Sequence, residues 1–243
     1  IVLCGPAGSG IKTVERLLVH ICKHAGYNVF ATKEYMSRVR GGLNSTTIRA
    51  AAEPVRASVK KMDIVIALSK GALGHVRDRV SDETLILCEP DFIDDETCEI
   101  SSNHIEIPFS DIAKEIGNKI YSNIVAVGVV SDLLGIEQNV VTDLIRERFE
   151  GKGENVINEN VQAVGKGYEI GDELLDKNDI KIKISKDENV DSQMLLSGGE
   201  ALGLGAIAGG CNFIAAYPMS PSTGLLQFLA KHSIDFNILV EQA

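Results

Sequence analysis

A glycine-dense loop near the start of the chain is the first segment whose residue types could do chemistry. Gly5, Gly8 and Gly10 follow the apolar run 1–4 and precede apolar residues at helical spacing over 11–25. This order predicts a strand, a tight turn and a helix. Glycines let the backbone approach a ligand, and the first N–H groups of a helix carry partial positive charge. The loop therefore predicts an anion-binding site, although closure of a tight turn alone would use the same glycines.

Neither common nucleotide-binding motif fits this loop. A P-loop places Lys and then Ser or Thr directly after its second glycine, whereas Ile11 intervenes here before Lys12 and Thr13. One inserted residue rotates Lys12 by roughly 100° around the helix, away from the direction that a P-loop lysine takes. The dinucleotide fingerprint has the order Gly-x-Gly-x-x-Gly, and the order here is Gly-x-x-Gly-x-Gly. A P-loop-like nucleotide- or phosphate-binding domain therefore stays a second hypothesis.

A second candidate site is the polar loop 33–42. Arg38 and Arg40 stand two residues apart, so in an extended segment they project to one side, and Gly41 and Gly42 allow a sharp turn after them. Arginine forks bind phosphate or carboxylate groups. A surface turn with solvated charges is the alternative interpretation.

Two histidines have the spacing of a helical metal site. His20 and His24 lie four residues apart on the predicted first helix. No third ligand accompanies them in the sequence, and the five cysteines are scattered without a Cys-x-x-Cys pair. We therefore predict neither a metal ion nor an iron–sulfur cluster in this chain.

An α/β scaffold must hold these loops. Apolar runs at 62–68 and 84–87 predict buried strands of a parallel-type sheet, which 28–32 and 43–49 extend. The pattern then becomes helical for the rest of this first domain. The predicted helices cover 110–119, 123–134, 140–150 and 158–175.

A charged segment separates this domain from a second one. Residues 172–191 are rich in charges and Asn, and within them 180–184 alternates Ile and Lys, which predicts an edge strand. We place the domains at 1–176 and 194–243, with a connector at 177–193.

The second domain opens with a helix rich in small residues. Ser197 with Glu200 three residues later predicts a helix cap, and the Gly and Ala residues that follow indicate that another backbone or a ligand packs closely. Residues 213–217 predict a buried strand. A loop containing two prolines then leads into a helix over 221–232.

Composition limits the classes of partner. The 243 residues carry a net charge of −10, which gives nucleic acid or an anionic membrane no electrostatic reason to bind. No run is long and apolar enough to span a bilayer. Cysteines embedded in predicted strands and helices suit a reducing cytoplasm. The chain begins without Met inside a predicted strand and ends just after another, so we expect a fragment at both ends.

Two motifs in order resemble one enzyme family. The glycine-rich turn, the Ser-Arg-x-Arg-Gly-Gly loop at 37–42 and the strand after it resemble the gamma domain of 2-oxoacid:ferredoxin oxidoreductases. The segment Tyr-Pro-Met-Ser-Pro-Ser-Thr at 217–223 resembles the Tyr-Pro-Ile-Thr-Pro-Ser motif of the alpha domain of the same enzymes, and 239–243 resembles the strand that follows it. A gamma domain fused to the start of an alpha domain resembles the 2-oxoglutarate-type, KorA-like subunit.

This resemblance implies a reaction and a set of cofactors. The family converts a 2-oxoacid, coenzyme A and oxidised ferredoxin to acyl-CoA, CO₂ and reduced ferredoxin, and thiamine diphosphate supplies the decarboxylation chemistry. The diphosphate with its Mg²⁺ and a 4Fe–4S cluster belong mostly to the partner beta subunit. The 194–243 segment would begin a thiamine-type, pyrimidine-binding α/β domain. The chain alone is expected to be inactive, because the family's thiamine-activating glutamate would lie beyond Ala243.

The resemblance also carries over onto individual residues. Ser220 matches a threonine whose hydroxyl lies beside the thiamine and the substrate, so it is the predicted catalytic residue, with helix capping as its alternative role. Gly199 stands where the family often has Asn, and Met219 where it has Ile. Tyr217, Pro218, Ser220 and Pro221 are expected on the thiamine and substrate side, and Gly5, Gly8, Gly10, Arg38, Arg40, Gly41 and Gly42 at a coenzyme A site or a domain interface. A non-catalytic scaffold subunit is a further alternative.

Overall fold

In the computed structural model, the described residues are 1–6, 8–36, 42–93, 103–178, 180 and 182–243. They divide into two compact units, residues 1–192 and residues 193–243. Arg38, Arg40 and Gly41 of the predicted arginine loop lie outside the described residues. None of the described helices combines the length and the hydropathy needed to cross a membrane.

The first unit is built on a mixed sheet whose strands run in the order β2-β3-β1-β4-β5-β6. Only β3 is antiparallel to its neighbours, with Leu3 opposite Thr46, whereas β1, β4, β5 and β6 are parallel. The apolar runs predicted as strands form its buried centre. The strands are β1 (Val2–Pro6), β2 (Asn28–Glu34), β3 (Leu43–Ala51), β4 (Ile64–Ala67), β5 (Leu85–Cys88) and β6 (His104–Glu106).

Five described α-helices complete the first unit. The predicted first helix is confirmed as α1, and the four predicted later helices are present with ends shifted by up to four residues. The central one, α3, is apolar on all sides and buries Val125, Val127 and Val129 completely. The helices are α1 (Ile11–His24), α2 (Phe109–Ile116), α3 (Ser122–Leu133), α4 (Gln138–Arg148) and α5 (Glu154–Asn178).

Helices α3 and α5 approach each other through glycine. A Cβ on Gly128 would lie 2.6 Å from the Val164 carbonyl oxygen, and a Cβ on Gly167 would lie 2.4 Å from the Val125 carbonyl oxygen. Both distances are well inside van der Waals contact, so only glycine permits this packing. The pair thus fixes the helical layer that supports the start of α1.

The edge strand predicted over 180–184 is wrong for the described residues of that segment, which have no strand pairing. Two hydrogen bonds at Asp187 hold the connector instead. Its backbone N–H donates to the Gly26 carbonyl at 2.8 Å, and the Asn28 side-chain amide donates to its carboxylate at 2.8 Å. Val190 is 2% exposed. Because these contacts tie the connector to the turn before β2, it needs no backbone pairing with a sheet edge.

The second unit pairs two parallel strands, β7 (Phe213–Ala216) and β8 (Leu239–Gln242), with the helices α6 (Gly198–Ala208) and α7 (Ser222–Lys231). The predicted helix cap at Ser197 is confirmed, because Ser197 and Glu200 form a reciprocal capping box. Close packing is present at Gly203, where a Cβ would lie 2.1 Å from the Phe228 ring, but the neighbour there is a side chain and not the backbone or ligand that the sequence predicted.

The prediction that β7 is buried is wrong in this chain. Phe213 is 52% exposed, and the strand alternates exposed and half-buried residues. The physical reason is that only β8 pairs with β7 among the described strands of this unit. A strand is buried only when layers cover both faces of its sheet.

Candidate functional site at the carboxyl edge of the sheet

The first unit has a point at which its strand order reverses. From β1, the chain supplies β2 and β3 on one side of the sheet and β4, β5 and β6 on the other. Ligand sites of open α/β sheets lie outside the carboxyl ends of the strands at such a point. Here that edge carries the loop that follows β1 and the loop that follows β4.

The loop after β1 is held in a left-handed conformation. Gly8 has φ of 93° and Gly10 has φ of 90°, a region that residues with a Cβ rarely adopt. The N–H and the hydroxyl of Ser9 both donate to the Pro6 carbonyl oxygen, at 3.2 and 2.8 Å. Gly10 is the N-cap of α1, no side chain caps this helix, and its first turn contains no acidic residue. The positive end of α1 is therefore not neutralised by a side chain of its own.

The first and last glycines of this loop are also required by close packing. A Cβ on Gly5 would lie 2.8 Å from the Ser9 hydroxyl and 3.1 Å from the Leu68 Cβ. A Cβ on Gly10 would lie 2.0 Å from Nδ2 of Asn123. By contrast, a Cβ on Gly8 would meet nothing within 4 Å.

Asn123, at the start of α3, holds the loop from behind. Its Nδ2 donates to the Ser9 carbonyl oxygen at 3.3 Å. Sequence reasoning missed this residue, because nothing in the sequence connects positions 114 residues apart. The only usable signal was a polar side chain directly before the apolar run of this helix.

The described residues at the two ends of the arginine loop lie at the same edge. Leu43, the first residue of β3, pairs with Pro6, so the structure brings the preceding Gly42 to the glycine-rich loop. The base of the arginine loop is closed by the Met36 N–H, which donates to Oδ1 of Asn44 at 3.2 Å. Of the residues predicted for an anionic ligand, the described ones, Gly5, Gly8, Gly10 and Gly42, thus share one edge of the sheet.

The loop after β4 adds a polar atom that the sequence did not predict. The hydroxyl of Ser69 is buried and has no hydrogen-bond partner among the described residues. The Leu68 N–H before it donates to the Cys4 carbonyl at 2.8 Å, which fixes this loop beside the end of β1. An unpaired buried hydroxyl has a free energy cost that a bound polar group would remove.

The cysteine nearest this edge is inert. The Cys4 thiol is completely buried in β1 and donates to the Ile66 carbonyl at 3.6 Å. Burial, with a smaller contribution from Cys88, raises its pKa to about 12. Because the thiolate is the reactive form, Cys4 is not a nucleophile at neutral pH.

The predicted thiamine-side residues lie in one loop of the second unit. Tyr217, Pro218, Ser220 and Pro221 are all exposed between the carboxyl end of β7 and the start of α7. The Ser222 hydroxyl donates to the Tyr217 and Met219 carbonyls, at 2.9 and 2.7 Å, and so holds the turn.

Ser220 does not cap α7. The N-cap is Pro221, which forms no side-chain capping bond, and the Ser220 hydroxyl has no hydrogen bond within the described residues. The alternative structural role of Ser220 is therefore not observed. Its hydroxyl is free to donate to and accept from a ligand at the end of β7.

Within the described part of the chain, no group of three His, Cys, Asp or Glu side chains could hold a metal ion. His20 and His24 instead line a cleft between α1 and α4, with Arg16 and Arg148 beside them.

Together, this sheet topology and loop geometry define an α/β protein of the class whose ligand sites lie at the carboxyl edge of the sheet. The sequence profile of the pyruvate ferredoxin/flavodoxin oxidoreductase family matches residues 1–170. The chain belongs to this family.

Relatives with assigned functions agree with that assignment. The alpha subunit of a 2-oxoacid:ferredoxin oxidoreductase from a Sulfolobus species is 24% identical and aligns with 95% of this chain. The 2-oxoglutarate synthase subunit KorC of Archaeoglobus fulgidus is 24% identical, over 70% of this chain and 86% of that protein. The chain spans 42% of the length of the Sulfolobus subunit.

Solved structures extend the likeness to the whole chain. The 2-oxoglutarate:ferredoxin oxidoreductase of Magnetococcus marinus, with 2-oxoglutarate, coenzyme A and succinyl-CoA bound, matches with a TM-score of 0.88 at 27% identity. This match covers 100% of the present chain and 42% of that chain. The pyruvate oxidoreductase subunit PORC of Thermotoga maritima matches 69% of the chain and 93% of its own, with a TM-score of 0.56 at 23% identity, and shares the fold.

Proposed function

We propose that this chain is part of a subunit of a thiamine-diphosphate-dependent 2-oxoacid:ferredoxin oxidoreductase. The enzyme would oxidatively decarboxylate 2-oxoglutarate or another 2-oxoacid to acyl-CoA and CO₂ and pass the electrons to ferredoxin. The observation that carries the proposal is the match of both units to one chain of the Magnetococcus enzyme, which has 2-oxoglutarate, coenzyme A and succinyl-CoA bound.

In this proposal, the carboxyl edge of the first unit binds coenzyme A. The uncapped start of α1 would face a phosphate group of coenzyme A. Arg38 and Arg40 would each donate paired, charge-assisted hydrogen bonds to the phosphate oxygens. The left-handed glycines support the role because they keep side chains away from the backbone that the phosphate would approach. The unpaired hydroxyl of Ser69 adds a donor beside it.

The second unit would contribute one wall of the thiamine and substrate site. Its residues fit that role, because the free hydroxyl of Ser220 can donate a hydrogen bond to a carboxylate or carbonyl oxygen and can accept one from another group. Tyr217, Pro218 and Pro221 would fix the direction of the loop. Thiamine diphosphate, when bound, supplies the centre that takes up the electrons left by loss of CO₂.

The proposal includes partners that the chain does not contain. A beta subunit would hold the diphosphate with Mg²⁺ and a 4Fe–4S cluster, and ferredoxin would accept the electrons. The reducing cytoplasm is the compartment that suits the buried thiols of Cys4, Cys22 and Cys88.

Viologen reduction by the complete enzyme tests the function. The full-length chain would be co-expressed with its beta partner and assayed anaerobically with coenzyme A against pyruvate, 2-oxoglutarate, branched-chain and aryl 2-oxoacids. We expect turnover with one of these acids, which would also name the substrate. Absence of turnover with all of them, in a complex shown to hold thiamine diphosphate and its cluster, would contradict the proposal.

Arg40→Ala tests the coenzyme A site in that complex. We expect the KM for coenzyme A to rise about tenfold or more with little change in kcat, because a charge-assisted hydrogen bond to phosphate is lost. Arg56→Ala, which removes the same charge from an exposed loop, is the matched control and should leave KM unchanged. An unchanged KM in Arg40→Ala would instead favour a domain-interface role for this loop.

Ser220→Ala tests the second unit. We expect kcat to fall by about tenfold or more, because a donor to the reacting centre is removed. Ser220→Thr keeps the hydroxyl and should retain the activity. Equal rates for Ser220→Ala and the unmodified enzyme would exclude Ser220 from the reaction.

A further inference from the structure

A basic cleft lies between α1 and α4, away from the site proposed above. Arg16, His20 and His24 follow one another at intervals of four residues, so they share one face of α1. Across the cleft stand Glu147 and Arg148 of α4. The cavity has a volume of about 240 Å³, which is enough for a small molecule, and Leu17 forms part of its apolar lining.

The charges in this cleft are unbalanced. Two arginines and two histidines face a single carboxylate, that of Glu147, in a chain whose net charge is −10. Within the described residues, neither Arg16 nor Arg148 forms an ion pair. One carboxylate cannot neutralise two guanidinium groups, so the cleft keeps an excess of positive charge.

A cation is the wrong occupant for this arrangement. Two histidines four apart on a helix would suit a transition metal, but the flanking guanidinium groups repel a cation, and no third ligand completes a metal site among the described residues. The same donors suit an oxyanion, because arginine forks match the geometry of phosphate and carboxylate groups. Imidazole N–H groups add further donors.

We propose that the cleft between α1 and α4 binds a small multivalent oxyanion that carries phosphate or carboxylate groups. Arg16 and Arg148 hold the anion from opposite walls, and His20 and His24 donate hydrogen bonds from α1. His20 lies nine residues from the start of α1, roughly 14 Å along the helix axis, so this site is separate from the glycine-rich loop.

Binding at this site depends on pH. Burial is the largest cause that lowers the pKa of His20, followed by Arg16 and His24; Glu147 opposes them, and Arg148 has the smallest effect. The neutral imidazole is therefore favoured in the empty cleft. A bound anion favours the imidazolium form, and binding therefore takes up a proton. Affinity must then increase as the pH falls.

Calorimetric titration of the full-length protein with inorganic phosphate, and separately with citrate, tests this site at about pH 6 and about pH 8 under constant ionic strength. We expect saturable binding of at least one probe, tighter at the lower pH. In the double variant Arg16→Gln/Arg148→Gln, the affinity should fall about tenfold or more, since each arginine supplies charge-assisted hydrogen bonds. The relative affinities for the two probes would show which group the cleft prefers.

Arg146→Gln is the matched control for charge, because Arg146 is exposed on α4 and does not line the cleft. Its affinity should equal that of the unmodified protein. Absence of saturable binding, an equal loss in Arg146→Gln, or full affinity in the double variant would each overturn the inference. If phosphate binding is lost in Gly10→Ala but kept in Arg16→Gln/Arg148→Gln, phosphate binds at the glycine-rich loop and not in the cleft. That result would overturn this inference and leave the proposed function unaffected.

Discussion

At the residue scale, Gly10 is constrained twice. Its φ of 90° favours glycine, and a Cβ would also lie 2.0 Å from the side-chain amide of Asn123. The sequence predicted a tight glycine-rich turn at this position, and the first constraint is consistent with such a turn. The second could not be predicted, since Asn123 reaches the loop only after the helical layer has folded.

Gly10→Ala should therefore lower the free energy of unfolding more than replacement of a turn glycine normally does. The left-handed conformation costs about 1–2 kcal/mol for a residue with a Cβ, and the overlap with Asn123 adds about 1–3 kcal/mol. Urea unfolding would measure the loss. Gly8 also has a positive φ, but a Cβ there would meet nothing within 4 Å. Gly8→Ala should therefore lose only the free energy of the left-handed conformation.

The double variant Gly10→Ala/Asn123→Ala separates the two costs. Truncating Asn123 removes the overlap, so the double variant should be more stable than the sum of the two single losses predicts. Strict additivity would mean that Asn123 does not hold the loop.

Asp132, on α3, should make the free energy of unfolding depend on pH. Its Oδ2 is buried without a hydrogen-bond partner among the described residues. Burial first, and then the charge of Asp172 on α5, raise its pKa to about 6. The protonated form is therefore favoured in the folded state, so its stabilising contribution is complete below about pH 4 and is lost as the pH rises to about 6.

Asp132→Asn should remove this dependence. Because the side chain is only partly buried, we expect a gain of about 1 kcal/mol at pH 7 and little change at pH 4. Urea unfolding of both proteins between these pH values would measure the difference. Asp172→Asn removes the like charge and should reproduce part of the gain, whereas a difference that does not vary with pH would contradict the assignment to Asp132.

At the element scale, hydrophobic periodicity predicted most of what the structure contains. The buried strands β4 and β5 and the helices α1 to α5 follow from apolar runs and helical spacing, because local pattern and final burial agree there. The connector differed from the prediction, since the alternation of Ile and Lys at 180–184 only indicates that a strand is possible. Tertiary anchors at Asp187 decided its path instead.

The packing of α3 on α5 was not predictable from either helix alone. Glycines at 128 and 167 lower helix propensity when each helix is considered separately, and their use appears only when the two backbones meet. The packing of two helices depends on how the shapes of their surfaces fit together, and a hydrophobic pattern in the sequence does not predict that fit.

Gly167→Ala should disrupt this interface. A Cβ there would lie 2.4 Å from the Val125 carbonyl and 2.7 Å from the Gly128 Cα, so the helices must move apart, at a cost of about 1–3 kcal/mol or more. Gly165→Ala on the same helix is the control, since its Cβ would meet only the Gln138 side chain at 3.6 Å. That variant should gain about 0.5–1 kcal/mol in helix propensity. A similar free energy of unfolding for both variants would show that α3 and α5 do not pack this closely.

At the scale of the whole molecule, the two units differ in how many of their apolar side chains are buried. The first has a sheet whose central strands are fully buried and a helical layer with its own buried helix, α3. The second has few buried apolar side chains, among them Leu226, Leu229 and Ile238, and many exposed ones. The sequence predicted two domains, but it could not show this inequality, because apolar composition does not reveal which faces find a partner.

This difference in apolar burial predicts how residues 1–192 behave when they are expressed without the second unit. Because its core is self-contained, this segment should unfold cooperatively in urea and bind little of a dye that reports exposed apolar surface. The chain of 243 residues should bind more dye, since Leu202, Tyr217 and Ile234 are 65%, 65% and 93% exposed. Circular dichroism and dye fluorescence would measure both properties. A segment 1–192 that lacks a cooperative transition, or that binds as much dye as the longer chain, would mean that the first unit depends on the second for its core.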